Sequence, residues 1–152
     1  MFKLAIFLLE NYPYHAAIII EDKKISDLSL LGARTIDINE FDFEIYKTFF
    51  FDLNIKNINE VLIHLNKPSI ITKKIIEKER NERGWFKTKN SSDYILEFRK
   101  KRSKNLDDMN CIEWIIYALE IGKYEIPDNI LTAKKLFEWS NENLKKTKIK
   151  YA

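Results

Sequence analysis

The first twenty residues do most to limit what this chain can fold into. Residues 2–9 and 14–20 are two short, dense apolar runs, and Asn11, Tyr12 and Pro13 between them read as a turn. Runs of about 4–8 residues bounded by turn signals favour strands over helices, so the chain opens as a β-hairpin. Glu21, Asp22, Lys23 and Lys24 form a polar turn, and residues 25–31 and 34–38 read as further strands separated by Gly32. In residues 41–45, Phe41, Phe43 and Ile45 alternate with Asp42 and Glu44, the period of a half-buried strand.

The second half is more helical. Asn57 or Asn59 can cap a short helix carrying Val61, Leu62 and Leu65, which Pro68 stops. Residues 69–83 have helical spacing and end near Gly84, whereas residues 85–104 suit strand and helix equally. Residues 111–121 form the clearest helix, ending at Gly122, and a last helix starts after Thr132. The basic tail from Lys145 is expected to fray. Strands and then helices, with no linker or repeat between them, make an α+β fold in a single domain spanning residues 1–152.

Composition removes several functional classes. With one cysteine and two histidines the chain has no internal disulfide and no good structural zinc site, and the reducing cytoplasm is the expected compartment. The opening residues MFKLAIFLLENY lack a small-residue cleavage site, which suits a strand better than a signal peptide. No apolar run is long enough for a transmembrane segment. Charge is uneven: residues 73–104 carry 12 basic and 5 acidic side chains, within a chain of net charge +3. Such a stretch reads first as a solvated face, and second as a patch for nucleic acid, anionic lipid or an acidic partner.

Chemistry points to the helix at 111. Asn110 is a favoured N-cap and Glu113, three residues on, can close a capping box, which puts Cys111 at the first helical position. A thiol there meets the positive end of the helix dipole, and the first-turn amides are available for an oxyanion. The competing reading is a small buried cysteine filling the core. His15 leads an apolar strand, HAAIIIED, beside the small residues Ala16 and Ala17. His64 has no acidic or thiol partner suggested by spacing and reads as structural.

Taken together, these segments resemble the circularly permuted papain-like superfamily, which includes NlpC-type cysteine peptidases and lecithin:retinol-type acyltransferases. The resemblance rests on the order His15 before Cys111, on HAAIIIEDKKISDL with Asp27 twelve positions after His15, and on Asn110, Cys111, Ile112, Glu113 and Trp114 leading an apolar helix. Pro127 with Asp128, and Thr132 with Ala133, echo the segments that follow the nucleophile helix. Ala17 and Ile112 depart from the pattern, standing where the family usually has Gly and a small polar residue. What the resemblance implies is a small antiparallel, barrel-like sheet packed on the cysteine-bearing helix. It implies Cys111 as nucleophile, His15 as base and Asp27 as the group orienting the imidazole, with Ser26 or Ser29 as alternatives if the register slips. The implied activity is a cysteine-dependent hydrolase, an amidase or peptidase working through an acyl-enzyme with no metal or organic cofactor. Its substrate would be an amide or ester in a peptide, a peptidoglycan fragment or a lipid. The alternatives are a thiol acyltransferase on a lipid, and a non-catalytic binding module using residues 73–104; nucleic acid is not an expected partner.

Overall fold

The computed structural model describes residues 1–29, 32–45, 47–66, 102 and 109–149. Strands β1 (Phe2–Leu9), β2 (Tyr12–Ile20), β3 (Lys24–Ser29), β4 (Gly32–Asp37), β5 (Lys47–Leu53) and β6 (Lys146–Thr147) form one antiparallel sheet in the order β4-β3-β2-β1-β5-β6. Three helices are present among the described residues: α1 (Ile58–Leu65), α2 (Cys111–Ile121) and α3 (Ala133–Asn143). The chain is thus α+β, and none of these helices is long and apolar enough to cross a membrane.

The opening hairpin forms as its apolar runs demand, but its turn is Glu10 and Asn11, both with positive φ (52° and 66°), rather than residues 11–13. Two left-handed central residues give the tight turn whose twist matches that of the strands. Tyr12 and Pro13 belong to β2. Pro13 sits where the β1–β2 register shifts between Phe7 and Leu8, an irregularity that tolerates a residue with no N–H to donate. His15 therefore lies inside β2 and not at its start.

β1 and β2 are the central strands, and both their faces are dry. Leu4, Ile6, Ala16 and Ile18 meet Leu28, Phe51 and the helices on one face, while Ala5, Phe7, Ala17 and Ile19 meet Ile25, Ile38 and Phe50 on the other. Full burial of each such Ile, Leu or Phe contributes roughly 1.5–3 kcal/mol. α2 packs on β2 and β3, α3 packs on β2, and α1 packs against α2. Residues 112–116 are buried all round, which makes α2 a core helix rather than a surface one.

Two segments depart from expectation. Residues 41–45 are not a strand: Ile38–Glu40 and Phe43–Ile45 are short 3₁₀ turns. Phe41 and Phe43 reach the second sheet face from this irregular segment, with the Phe41 ring 5.1 Å from that of Phe7 and 4.8 Å from that of Phe43. The strand follows instead at Lys47–Leu53. At the other end Lys146 and Thr147 do not fray but pair with Phe51 and Phe50 of β5.

Helix ends mostly follow their caps. Asn57 precedes α1 with a left-handed φ of 53° and makes no side-chain cap bond, whereas Thr132 accepts from the Lys135 amide at 3.1 Å to start α3. α2 does end at Gly122, yet the left-handed residue is Lys123 (φ 75°). At Gly122 a Cβ would lie 2.7 Å from Ile55 Cδ1, so the Ile55 side chain would have to shift to admit one.

Pro68, the helix expected over 69–83 and nearly all of the basic stretch 73–104 lie outside the described residues. Arg102 is the exception, and it is not solvated. Its guanidinium is buried and donates to the carbonyls of Ile126 (3.2 Å), Ile130 (3.4 Å) and Pro127, beside Glu120 at 3.3 Å and Asp128 at 3.8 Å. A charge this deeply enclosed is tolerated because both terminal nitrogens meet acceptors. Arg102 ties the segment before α2 to the loop that leads to α3, and it is not available to an external anion.

Candidate active site

β2, β3, β4 and the start of α2 converge on one point. The β2–β3 ladder runs from the hairpin turn only as far as Ile18 opposite Ser26. β3 stays bonded to β4 down to Ser29 opposite Gly32. Beyond Ile18, β2 and β3 therefore part, and side chains rather than backbone bridge the opening. His15 Nε2 and Asp27 Oδ2 are 2.8 Å apart across it. By alternation His15 shares a face with Ala17 and Ile19, and Asp27 shares one with Ile25, which is why the two can meet. The Phe7 ring, directly opposite on β1, lies along the imidazole at 5.8 Å between centroids.

Among the described side chains it is Asp27, and not Ser26, that meets His15. The Ser26 hydroxyl belongs to the opposite face, where it bonds Thr35 Oγ1 (3.0 Å) and the carbonyls of Arg34 and Leu65. The Ser29 side chain lies outside the described residues.

Cys111 takes the first position of α2, is 8% exposed, and lies beside His15, close enough to help hold the proton on the imidazole. The structure thus brings together all three residues expected from sequence. The capping box is present in full: Asn110 Oδ1 accepts from the amides of Ile112 (3.0 Å) and Glu113 (2.9 Å), and Glu113 Oε1 accepts from the Asn110 amide (3.0 Å). Two of the first-turn amides expected to face an oxyanion are therefore already engaged. Asn110 Nδ2, by contrast, is buried with no hydrogen-bond partner. Changing Asn110 to Ala should lower stability by about 1–2 kcal/mol in chemical denaturation, while Asn110→Asp, which still caps, should recover most of that loss.

Electrostatics make the imidazole a cation. Burial alone would lower the proton affinity of His15, whose side chain is 14% exposed, but the hydrogen bond to Asp27 and the neighbouring Cys111 thiol outweigh it and push its pKa up to about 10. Asp27, 2% exposed, would be raised by burial. Its bonds from His15 and Arg34 instead hold it below the usual carboxylate value.

Arg34 is a site residue that motif and spacing do not point to. Its Nε donates to Asp27 Oδ1 at 2.7 Å and a terminal nitrogen donates to Oδ2 at 3.2 Å. The signal that could have found it is the short β3–β4 hairpin, whose register sets an arginine directly opposite an aspartate.

His64 is buried elsewhere, 3.0 Å from the Trp114 carbonyl and packed on the rings of Trp114 and Tyr117, so it joins α1 to α2 as a structural residue. No group of three or more metal-ligating side chains occurs among the described residues. No family model, curated protein or solved structure matches the chain.

Proposed function

We propose that the chain is a cysteine-dependent hydrolase of the permuted papain-like kind, an amidase or peptidase that cleaves an amide or ester through an acyl-enzyme. The observation that carries the reading is the single imidazole set between a buried carboxylate, which it hydrogen-bonds, and a thiol at a helix start. A buried histidine kept only for packing needs one such partner; a nucleophile–base–orienter chain needs both.

In this reading Nε2 of His15 stays on Asp27, and Nδ1 exchanges the proton with Cys111. The thiolate attacks the carbonyl carbon, and the carbonyl electron pair moves to oxygen. Because the Ile112 and Glu113 amides are taken, the buried, unpartnered Nδ2 of Asn110 is the side-chain donor at hand for that oxyanion. As the tetrahedral intermediate collapses, the C–N or C–O bond breaks and the imidazolium gives its proton to the departing amine or alcohol. Water, deprotonated by the now neutral imidazole, attacks the thioester and releases the acid. Transfer to a lipid differs only in the nucleophile that resolves the thioester.

A small activated ester tests this without knowledge of the substrate. p-Nitrophenyl acetate should give a stoichiometric burst of nitrophenolate and an acetyl group on Cys111 by mass spectrometry. The Cys111→Ala chain should give neither. Absence of acetyl-Cys111 in the folded wild type, when the unfolded chain acetylates normally, would sink the hydrolase reading.

A further inference from the structure

We propose that Arg34 is a positioning residue, holding the Asp27 carboxylate in the plane that keeps Oδ2 on His15; this rests on reading Cys111 and His15 as a thiol–imidazole pair. Three successive strands supply the row: His15 from β2, Asp27 from β3 and Arg34 from β4. Asp27 and Arg34 are register partners in a continuous ladder, but β2 and β3 are no longer bonded at this level. Nothing in the backbone on the β2 side aims the carboxylate at His15.

The last torsion of an aspartate is broad, so one hydrogen bond would leave the carboxylate free to turn. Arg34 binds both oxygens, at 2.7 and 3.2 Å, and a two-point fork fixes the plane as well as the position. The guanidinium is itself held over the Phe41 ring, 5.7 Å from its centre.

Charge supports the same role. When His15 gives its proton away, the 2%-exposed Asp27 loses the cation beside Oδ2. Arg34 is a permanent cation on the same carboxylate, so Asp27 keeps a counter-charge in both states of the imidazole and need not move between them. Around His15 the charged or titratable groups in contact, among the described residues, are Asp27, Cys111 and the Tyr14 ring, and Phe7 flanks the imidazole on the other strand.

A plain structural ion pair between β3 and β4 is the competing account, and the imidazole separates the two. In ¹⁵N-labelled chain carrying Cys111→Ser, which silences the thiol, the His15 Nε2–H proton should give a slowly exchanging low-field NMR signal at pH 6. Arg34→Met should abolish it while the amide spectrum of β1 and β2 persists. Arg34→Lys keeps the charge, and so a structural ion pair, but not the fork; it should keep the signal with faster exchange. With Cys111 restored, Arg34→Met should slow alkylation by iodoacetamide at pH 6 by about tenfold. A signal in Arg34→Lys as long-lived as the wild type's overturns the proposal, even if Arg34→Met does not fold; so does an unchanged signal in folded Arg34→Met. A chain that takes no acyl group on Cys111 yet shows the Arg34-dependent signal sinks the hydrolase and leaves the positioning intact.

Discussion

Changing His15 to Ala is expected to slow alkylation of Cys111 by iodoacetamide near pH 6 by about two orders of magnitude, and to leave the rate at pH 9 nearly unchanged. The thiolate is the reacting species, and a free thiol titrating near 8.5 is only about 0.3% ionised at pH 6. A cation beside a thiol can in general raise its reactive fraction by at most about 300-fold there, and by little at pH 9. His15 is that cation at both values, since its proton is held up to about pH 10.

Asp27→Asn should move the rate at pH 6 in the same direction by less, because the carboxylate reaches the sulfur only through the imidazole. A cysteine that merely fills the core predicts another profile. Being 8% exposed, it would react slowly at both pH values and ignore either substitution while the fold holds. Rates followed by intact mass on wild type, His15→Ala and Asp27→Asn distinguish the two, and a slow, flat wild type removes Cys111 from any catalytic role.

The site was more legible in the sequence than the fold around it, for physical reasons. Asn110, Cys111 and Glu113 are local: a capping box spans one helical turn and is satisfied by its own backbone, so spacing suffices to find it. Asp27 was implied by the resemblance, twelve positions after His15, and the β2–β3 hairpin is what brings the two side chains within a hydrogen bond. The strand at Lys47–Leu53 was not legible, because the Phe-rich run beside it offers two overlapping patterns. Phe41 and Phe43 alternate as strand residues would, yet they are placed by contact with Phe7, some thirty residues earlier in the chain. Alternation records which side chains are buried and not which backbone carries them. Lys146 and Thr147 read as a tail since two residues have no period, and only the free edge of β5 makes them a strand. Arg102 sat in a run of cations, where composition argues for solvent; its acceptors are carbonyls some twenty-five residues later. Such long-range partners leave no local trace.

Asp27→Asn also has a stability signature set by pH. The chain should lose about 3 kcal/mol near pH 5–6, because a buried charged cluster loses the one anion that its two cations share. The size of the loss should follow the titrations. His15 has its pKa raised from 6.5 to about 10, so the folded state binds the proton more tightly than the unfolded one. Its contribution is complete below about pH 6.5 and is lost as the pH rises through about 10. Asp27 is shifted the other way, below its ordinary 3.8, so its contribution is complete above that value and is lost as the pH falls through the lower folded value. Both are in full force only between roughly pH 4 and 6.5. Denaturant unfolding of wild type and Asp27→Asn across pH 3–10 should therefore show a gap that is widest in that window. It should narrow steadily from pH 6.5 towards 10, and begin to narrow again below 4. Wild type alone should lose stability across the alkaline limb, where its folded state carries a proton that its unfolded state has released. A gap of constant size from pH 6 to 10 would mean that His15 is not held protonated by Asp27. The carboxylate would then serve only Arg34 and the β3–β4 pairing.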